Sequence, residues 1–159
     1  MTTPDILAAP AALAADPGAP SRPRFHLAFP VRSLSEARAF YGGVLGCREG
    51  RSADDWVDFD FFGHQIVAHL SPSDAAGEGS TNPVDGEAVP VRHFGVILSL
   101  TDWNRLVSRL SAVSVAWLIA PQTRFAGTAG EQATCFVRDP SGNALEFKAF
   151  ASEDQIFAR

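Results

Sequence analysis

Cysteine, histidine and basic residues are scarce in this 159-residue chain, and no apolar run approaches the roughly 20 residues needed to cross a bilayer. Two cysteines, Cys47 and Cys135, are too few for a disulfide scaffold and lack the paired spacing of a zinc or redox motif, which fits a reducing cytoplasm. Thirteen Lys and Arg against eighteen Asp and Glu give a formal net charge of −5. That balance leaves no basic stripe for nucleic acid and no polybasic patch for an anionic membrane, so neither is expected as a partner. The opening "MTTPDILAAPAALAADPGAPSRPR" has Asp5 and no Lys or Arg before Arg22. It lacks the basic start of a signal peptide and reads as a flexible arm over residues 1–23.

What is present suffices for one ordinary core: 46% of residues are hydrophobic and 19% charged. After the arm, "RFHLAFPV" alternates like a strand. "SLSEARAFYGGVLG" then reads as a helix, with Ser33 and Glu36 at capping-box spacing, Leu34, Ala37, Tyr41 and Val44 on one face, and Gly46 at its end. "CREGRS", "DWVDFDFF" and "HQIVAHL" supply three further strands, the last two joined through Gly63. Residues 71–90 turn to Ser, Pro, Gly and acidic residues and read as a linker.

The element order then restarts. "RHFGVILSL" is a strand, Thr101 can cap a helix with Trp103, Leu106, Val107 and Leu110 on its apolar face, and "VSVAWLIA", "EQATCFV" and "NALEFKAF" are strands. The expectation is an α+β fold of two βαβββ modules, residues 24–70 and 91–150, followed by a tail over 151–159.

Strand parity sorts the four histidines. Phe25, Leu27, Phe29 and Val31 oppose His26, Ala28 and Pro30; Phe94, Val96, Leu98 and Leu100 oppose His93, Gly95, Ile97 and Ser99. Glu146 falls on the polar face of the last strand. His69 falls on the opposite face from His64, whose set is the one expected to face the core. His26 and His93 therefore hold one place in the two halves, and His69 and Glu146 both lie on a closing strand. Each alone is an ordinary surface or hydrogen-bonded residue. Buried together, they would be satisfied by a divalent cation; imidazole with carboxylate suits Fe, Zn, Mn or Ni, and two His with one carboxylate is the non-heme Fe(II) arrangement.

With "SEARAFYGGVLG" and "FVRDPSGNALEFKAF", the chain resembles the vicinal oxygen chelate superfamily of glyoxalases, bleomycin-resistance proteins and extradiol dioxygenases, over about Phe25 to Phe150. The resemblance implies a cupped eight-stranded mixed sheet, a small-molecule substrate, a homodimer, and one metal held by His26, His69, His93 and Glu146. Three activities follow from it. An extradiol-dioxygenase-like enzyme uses His26, His93 and Glu146 for Fe(II), with His69 as a general acid/base. A glyoxalase- or epimerase-type enzyme uses all four ligands and a further base, for which Asp58 or Asp60 would serve. A metal-free binding module simply encloses its ligand. The first is favoured, because its triad is complete and the second catalytic carboxylate is missing. The His69 position departs from glyoxalase I, which has Glu there, and on strict spacing from the hairpin glycine Val67 matches Glu146. The stretch Pro121 to Gln132 reads as a loop that closes over the cup, with Arg124 and Phe125 as substrate contacts.

Overall fold

The computed structural model describes residues 23–75, 77 and 79–158. The expected N-terminal arm lies almost entirely outside them. Two modules follow the anticipated order. The first runs β1 (His26–Val31), α1 (Leu34–Ala37) continued as a π-helical segment (Arg38–Val44), β2 (Arg48–Ser52), β3 (Trp56–Phe61) and β4 (His64–Leu70). The second runs β7 (His93–Leu98), α2 (Leu100–Ala112), β8 (Trp117–Arg124), β9 (Gln132–Arg138) and β10 (Ala144–Phe150). Each module is a mixed four-stranded sheet, ordered β1-β4-β3-β2 and β7-β10-β9-β8, in which the first and last strands pair in parallel.

The helices start where side chains supply caps. Ser33 Oγ accepts from Glu36 N, as the capping-box spacing predicts. The second helix begins earlier than expected. Ser99, not Thr101, is its cap, because Ser99 Oγ accepts from Asp102 N and Asp102 adds a negative charge to the first turn.

The expected linker contains a hairpin, β5 (Thr81–Val84) and β6 (Glu87–Pro90). Asp85 and Gly86 turn it with φ of 49° and 81°. Both central residues of a type I′ hairpin turn need positive φ, which Asp-Gly tolerates, and this is the strongest short hairpin signal a sequence carries. The expected loop over Pro121 to Gln132 is shorter than anticipated, since β8 extends to Arg124.

One core lies between the modules. Parity set its walls correctly: Phe29 and Val31 of β1 and Phe147 and Ala149 of β10 are buried there, and the Phe29 and Phe94 rings stand 5.2 Å apart across the modules. Trp103 is buried against it and donates its indole N–H to Phe147 O.

The "DPSGN" turn joins the modules by polar contacts. Asp139 Oδ1 accepts from Ser141 N and Asn143 N, and Oδ2 accepts from Asn143 Nδ2 and from Tyr41 Oη at 2.9 Å. Ser141 Oγ takes the Arg32 amide, and Asn143 Nδ2 reaches Pro30 O. Burial first, and the Asp139 charge second, raise Tyr41 well above the ordinary phenol range, so it stays a donor.

Candidate functional site

Register fixes which residues correspond. Along β1 and β4, His26 faces Gln65, Ala28 faces Val67 and Pro30 faces His69; along β7 and β10, His93 faces Ala144, Gly95 faces Glu146 and Ile97 faces Lys148. Counted from the two histidines, Val67 is therefore the counterpart of Glu146, and His69 of Lys148. Val67 is buried and apolar, whereas His69 is exposed near the strand's end.

His93 and Glu146 meet. Their Nε2 and Oε2 atoms are 3.2 Å apart. His93 Nδ1 is 2.7 Å from Pro90 O, an atom that only accepts, so Nδ1 carries a proton and Nε2 is the nitrogen turned to the carboxylate. Lys148 Nζ lies 3.1 Å from the same Oε2, and Thr134 Oγ1 donates to Oε1 at 2.8 Å. Burial pushes the Glu146 carboxyl upward, but hydrogen bonds from His93, Thr134 and Lys148 and the Lys148 charge outweigh it and leave the group below its ordinary range. The hydrogen bond to Glu146 is the largest influence on His93, whose imidazole is raised.

Gly95 makes this geometry possible. A Cβ built there would fall onto the Glu146 backbone, carbonyl oxygen first. A depression of about 200 Å³ opens over the group, lined by His93, Gly95, Ile97, Glu146 and Lys148 among others. A larger groove, of about 670 Å³, shares no lining residue with it; its Arg32 and Arg38 are already paired with Glu36 and Glu49.

His26 stands apart, on the first sheet. Gln65 Nε2 donates to Asp58 Oδ2, which turns the amide oxygen toward His26 Nδ1 at 2.8 Å. His26 Nδ1 is thus the donor, as Nδ1 is in His93. Asp58 is buried and also receives Arg51. Among the described residues no three His, Cys, Asp or Glu side chains are grouped to hold one ion. Each module instead offers part of a ligand set: each histidine has its Nδ1–H oriented by an acceptor, with the His93 Nε2 turned to Glu146. Two imidazoles and a carboxylate are donors of the type that suits a divalent metal, and here they are divided between the two sheets.

The hairpin builds one wall. Val89 packs with Ile119 and Phe136, and Phe136 faces Glu146 across β9 and β10. Arg124 and Phe125 serve this wall. Arg124 is buried, donates to Val84 O and stacks 5.1 Å over the Phe125 ring, while Phe125 N donates to Asp85 Oδ2. The cation beside Glu146 is Lys148. Both cysteines are buried and free, and burial pushes their thiols up to about 12.

A model of the glyoxalase/bleomycin resistance protein/dioxygenase superfamily matches residues 25–147. The chain belongs to that superfamily. A glyoxalase/bleomycin resistance protein/dioxygenase from Alicyclobacillus acidocaldarius is 34% identical, with 85% of this chain and 96% of that one covered and a TM-score of 0.74. The fold also matches the fosfomycin resistance protein FosX from Listeria monocytogenes, at 16% identity, 85% and 98% coverage and a TM-score of 0.61. A lactoylglutathione lyase from Agrobacterium tumefaciens matches at 16% identity, 88% and 98% coverage and a TM-score of 0.59. No curated protein matches the chain. No helix among the described residues is long and apolar enough to cross a membrane.

Sequence reasoning missed Gln65, Pro90, Thr134 and Lys148 as partners within the superfamily scaffold. Gln65 had a signal, because parity put it on the same face as Val67 and His69, and a parallel β1–β4 pairing brings it beside His26. Pro90 had none, since its role depends on the unforeseen hairpin.

Proposed function

We propose that this superfamily member is a metal-dependent enzyme acting on a small molecule with vicinal oxygens, with an extradiol-dioxygenase-like centre formed by His26, His93 and Glu146. The observation that carries this reading is Val67 at the counterpart position of Glu146. An apolar residue there leaves two histidines and one carboxylate, the set that suits Fe(II) with open positions; Zn, Mn and Ni are the alternatives. A bound Fe(II) supplies Lewis-acid activation of a chelating substrate together with redox capacity.

The chain's own residues prepare that centre. Pro90 O and Gln65 Oε1 turn the two imidazoles so that each presents Nε2. Thr134 holds Oε1 of Glu146, and Oε2 faces His93 Nε2. Because His26 and the His93–Glu146 pair lie on different sheets, the centre is completed by a second copy: His26 of one chain joins His93 and Glu146 of another. In this homodimer His69 serves as an acid/base group from the His26 side, and Arg124 and Phe125 shape the wall through the hairpin. The free cysteines agree with a reducing cytoplasm.

One observation favours a second reading. Glu146 is satisfied by His93, Lys148 and Thr134 without any ion, as a metal-free binding module would require. The glyoxalase- or epimerase-type reading, in contrast, lacks its fourth ligand at Val67. Oxygen uptake by the anaerobically Fe(II)-loaded full chain with a series of catechols tests the proposal. Consumption that disappears in Glu146→Gln supports it. Retention of metal without oxygen consumption, or no metal retained after dialysis, rejects the dioxygenase reading, and the second result points to the binding module.

A further inference from the structure

Lys148 is the only lysine in the 159-residue sequence; the rest of its thirteen basic residues are arginines. It stands two residues beyond Glu146 on β10, so parity sends both side chains to one face. Its ammonium and the His93 Nε2 converge on the same carboxylate oxygen, at 3.1 Å and 3.2 Å. Thr134 occupies the other oxygen. Oε2 is the oxygen that His93 Nε2 faces, and a protein cation is already there.

The residue type matters at this point. An arginine would grip a carboxylate with a planar, two-pronged fork. Lysine is a compact charge on a flexible stem, and the Lys148 side chain keeps 28% of its surface exposed, so it has room to move. An ion bound by Nε2 and Oε2 at ordinary metal–ligand lengths of about 2 Å would fall within repulsive reach of the ammonium. The depression lined by Gly95 and Ile97 lies beside it, and Ile97 is 45% exposed.

We propose that Lys148 is a resident counter-ion of Glu146 that an entering divalent metal displaces, after which its ammonium lines the depression and binds an oxyanion, carboxylate or phosphate, of the substrate. This rests on the metal reading above and adds a substrate class to it: a small anion with an apolar flank to meet Ile97. No bond is made or broken in the exchange; one cation replaces another at Oε2.

A single lysine makes the exchange measurable. The full chain, freed of metal with a chelator, is treated with acetic anhydride at fixed pH with and without Co(II), and acylation of the Lys148 peptide is followed by mass spectrometry against the α-amino group. Acylation of Lys148 accelerates with Co(II) and slows again when inorganic phosphate is added. In parallel, Lys148→Met and Lys148→Gln bind Co(II) about tenfold more tightly than the wild type, a gain of about 1.4 kcal/mol. Circular dichroism of both variants verifies the fold. If Co(II) binds the wild type while Lys148 reactivity and the variants' affinities stay unchanged, the counter-ion proposal is wrong and the metal reading survives. If neither the wild type nor the variants bind Co(II), the metal reading fails and takes the proposal with it.

Discussion

Val67 and Glu146 hold the same place in their modules, two register steps from His26 and from His93. The duplicated scaffold thus carries a carboxylate in one half and a valine in the other. On the proposed metal reading, this asymmetry separates a three-ligand centre from a four-ligand one.

Restoring the missing carboxylate tests this directly. Val67→Glu buries an unpaired acid and lowers the stability of the metal-free protein by about 1–3 kcal/mol. Excess Co(II) recovers that loss, so thermal melts show a larger metal-induced rise in Tm for Val67→Glu than for the wild type. An equal rise in both would mean that Val67 does not face the ligand cluster.

The His93–Glu146 contact makes stability of the metal-free protein depend on pH. His93 is raised in the fold, so its contribution is complete below its unfolded value of 6.5 and fades as pH climbs through the higher folded value. Glu146 is lowered, so its contribution is complete above 4.5 and fades as pH falls through the lower folded value. Between those two limits both contribute fully. The urea midpoint of the wild type relative to His93→Gln is therefore largest at about pH 5–6 and shrinks toward both extremes. A difference independent of pH would show that the pair is not an ion pair in solution.

Tyr41 and Asp139 tie the modules together at 2.9 Å. Tyr41→Phe removes the buried donor and lowers stability by about 1.5–3 kcal/mol, as for a hydrogen bond to a charged group. Urea unfolding measures it. A loss below about 0.5 kcal/mol would place the tie elsewhere in the turn.

Gly95 admits no side chain against the Glu146 backbone. Gly95→Ala separates β7 from β10 at that point and displaces the carboxylate, so Co(II) affinity falls together with Tm. Unchanged affinity would show that Glu146 is not held by this strand pairing.

Much of this was readable before the structure, for physical reasons specific to each element. Side-chain alternation put Phe29 in the core and half-buried Phe94 against it, and turned His26, His93 and Glu146 to the other face. Counting from the hairpin glycines also matched Val67 to Glu146, because Gly63 and Gly142 sit at equivalent points although their turns differ in length. The hairpin Thr81–Pro90 was hidden by its polar composition, and its Asp85-Gly86 turn was the overlooked signal. The separation of His26 from His93 was not legible, since alternation assigns faces within a sheet and carries nothing about how two sheets are set against each other. The Lys148 contact follows from alternation, whereas the Thr134 bond to Oε1 is a cross-strand detail of register.

The central claim is that one metal is shared between two copies, and subunit complementation measures it most directly. His26→Ala and Glu146→Ala each lose Co(II) binding as pure proteins. Unfolded, mixed in equal amounts and refolded, they form heterodimers in which one centre carries both defects and the other carries none, so native mass spectrometry finds one Co(II) per heterodimer, or about a quarter of an ion per chain in a random mixture. Heterodimers that bind no Co(II), or a His26→Ala protein that retains wild-type affinity, would contradict the shared centre.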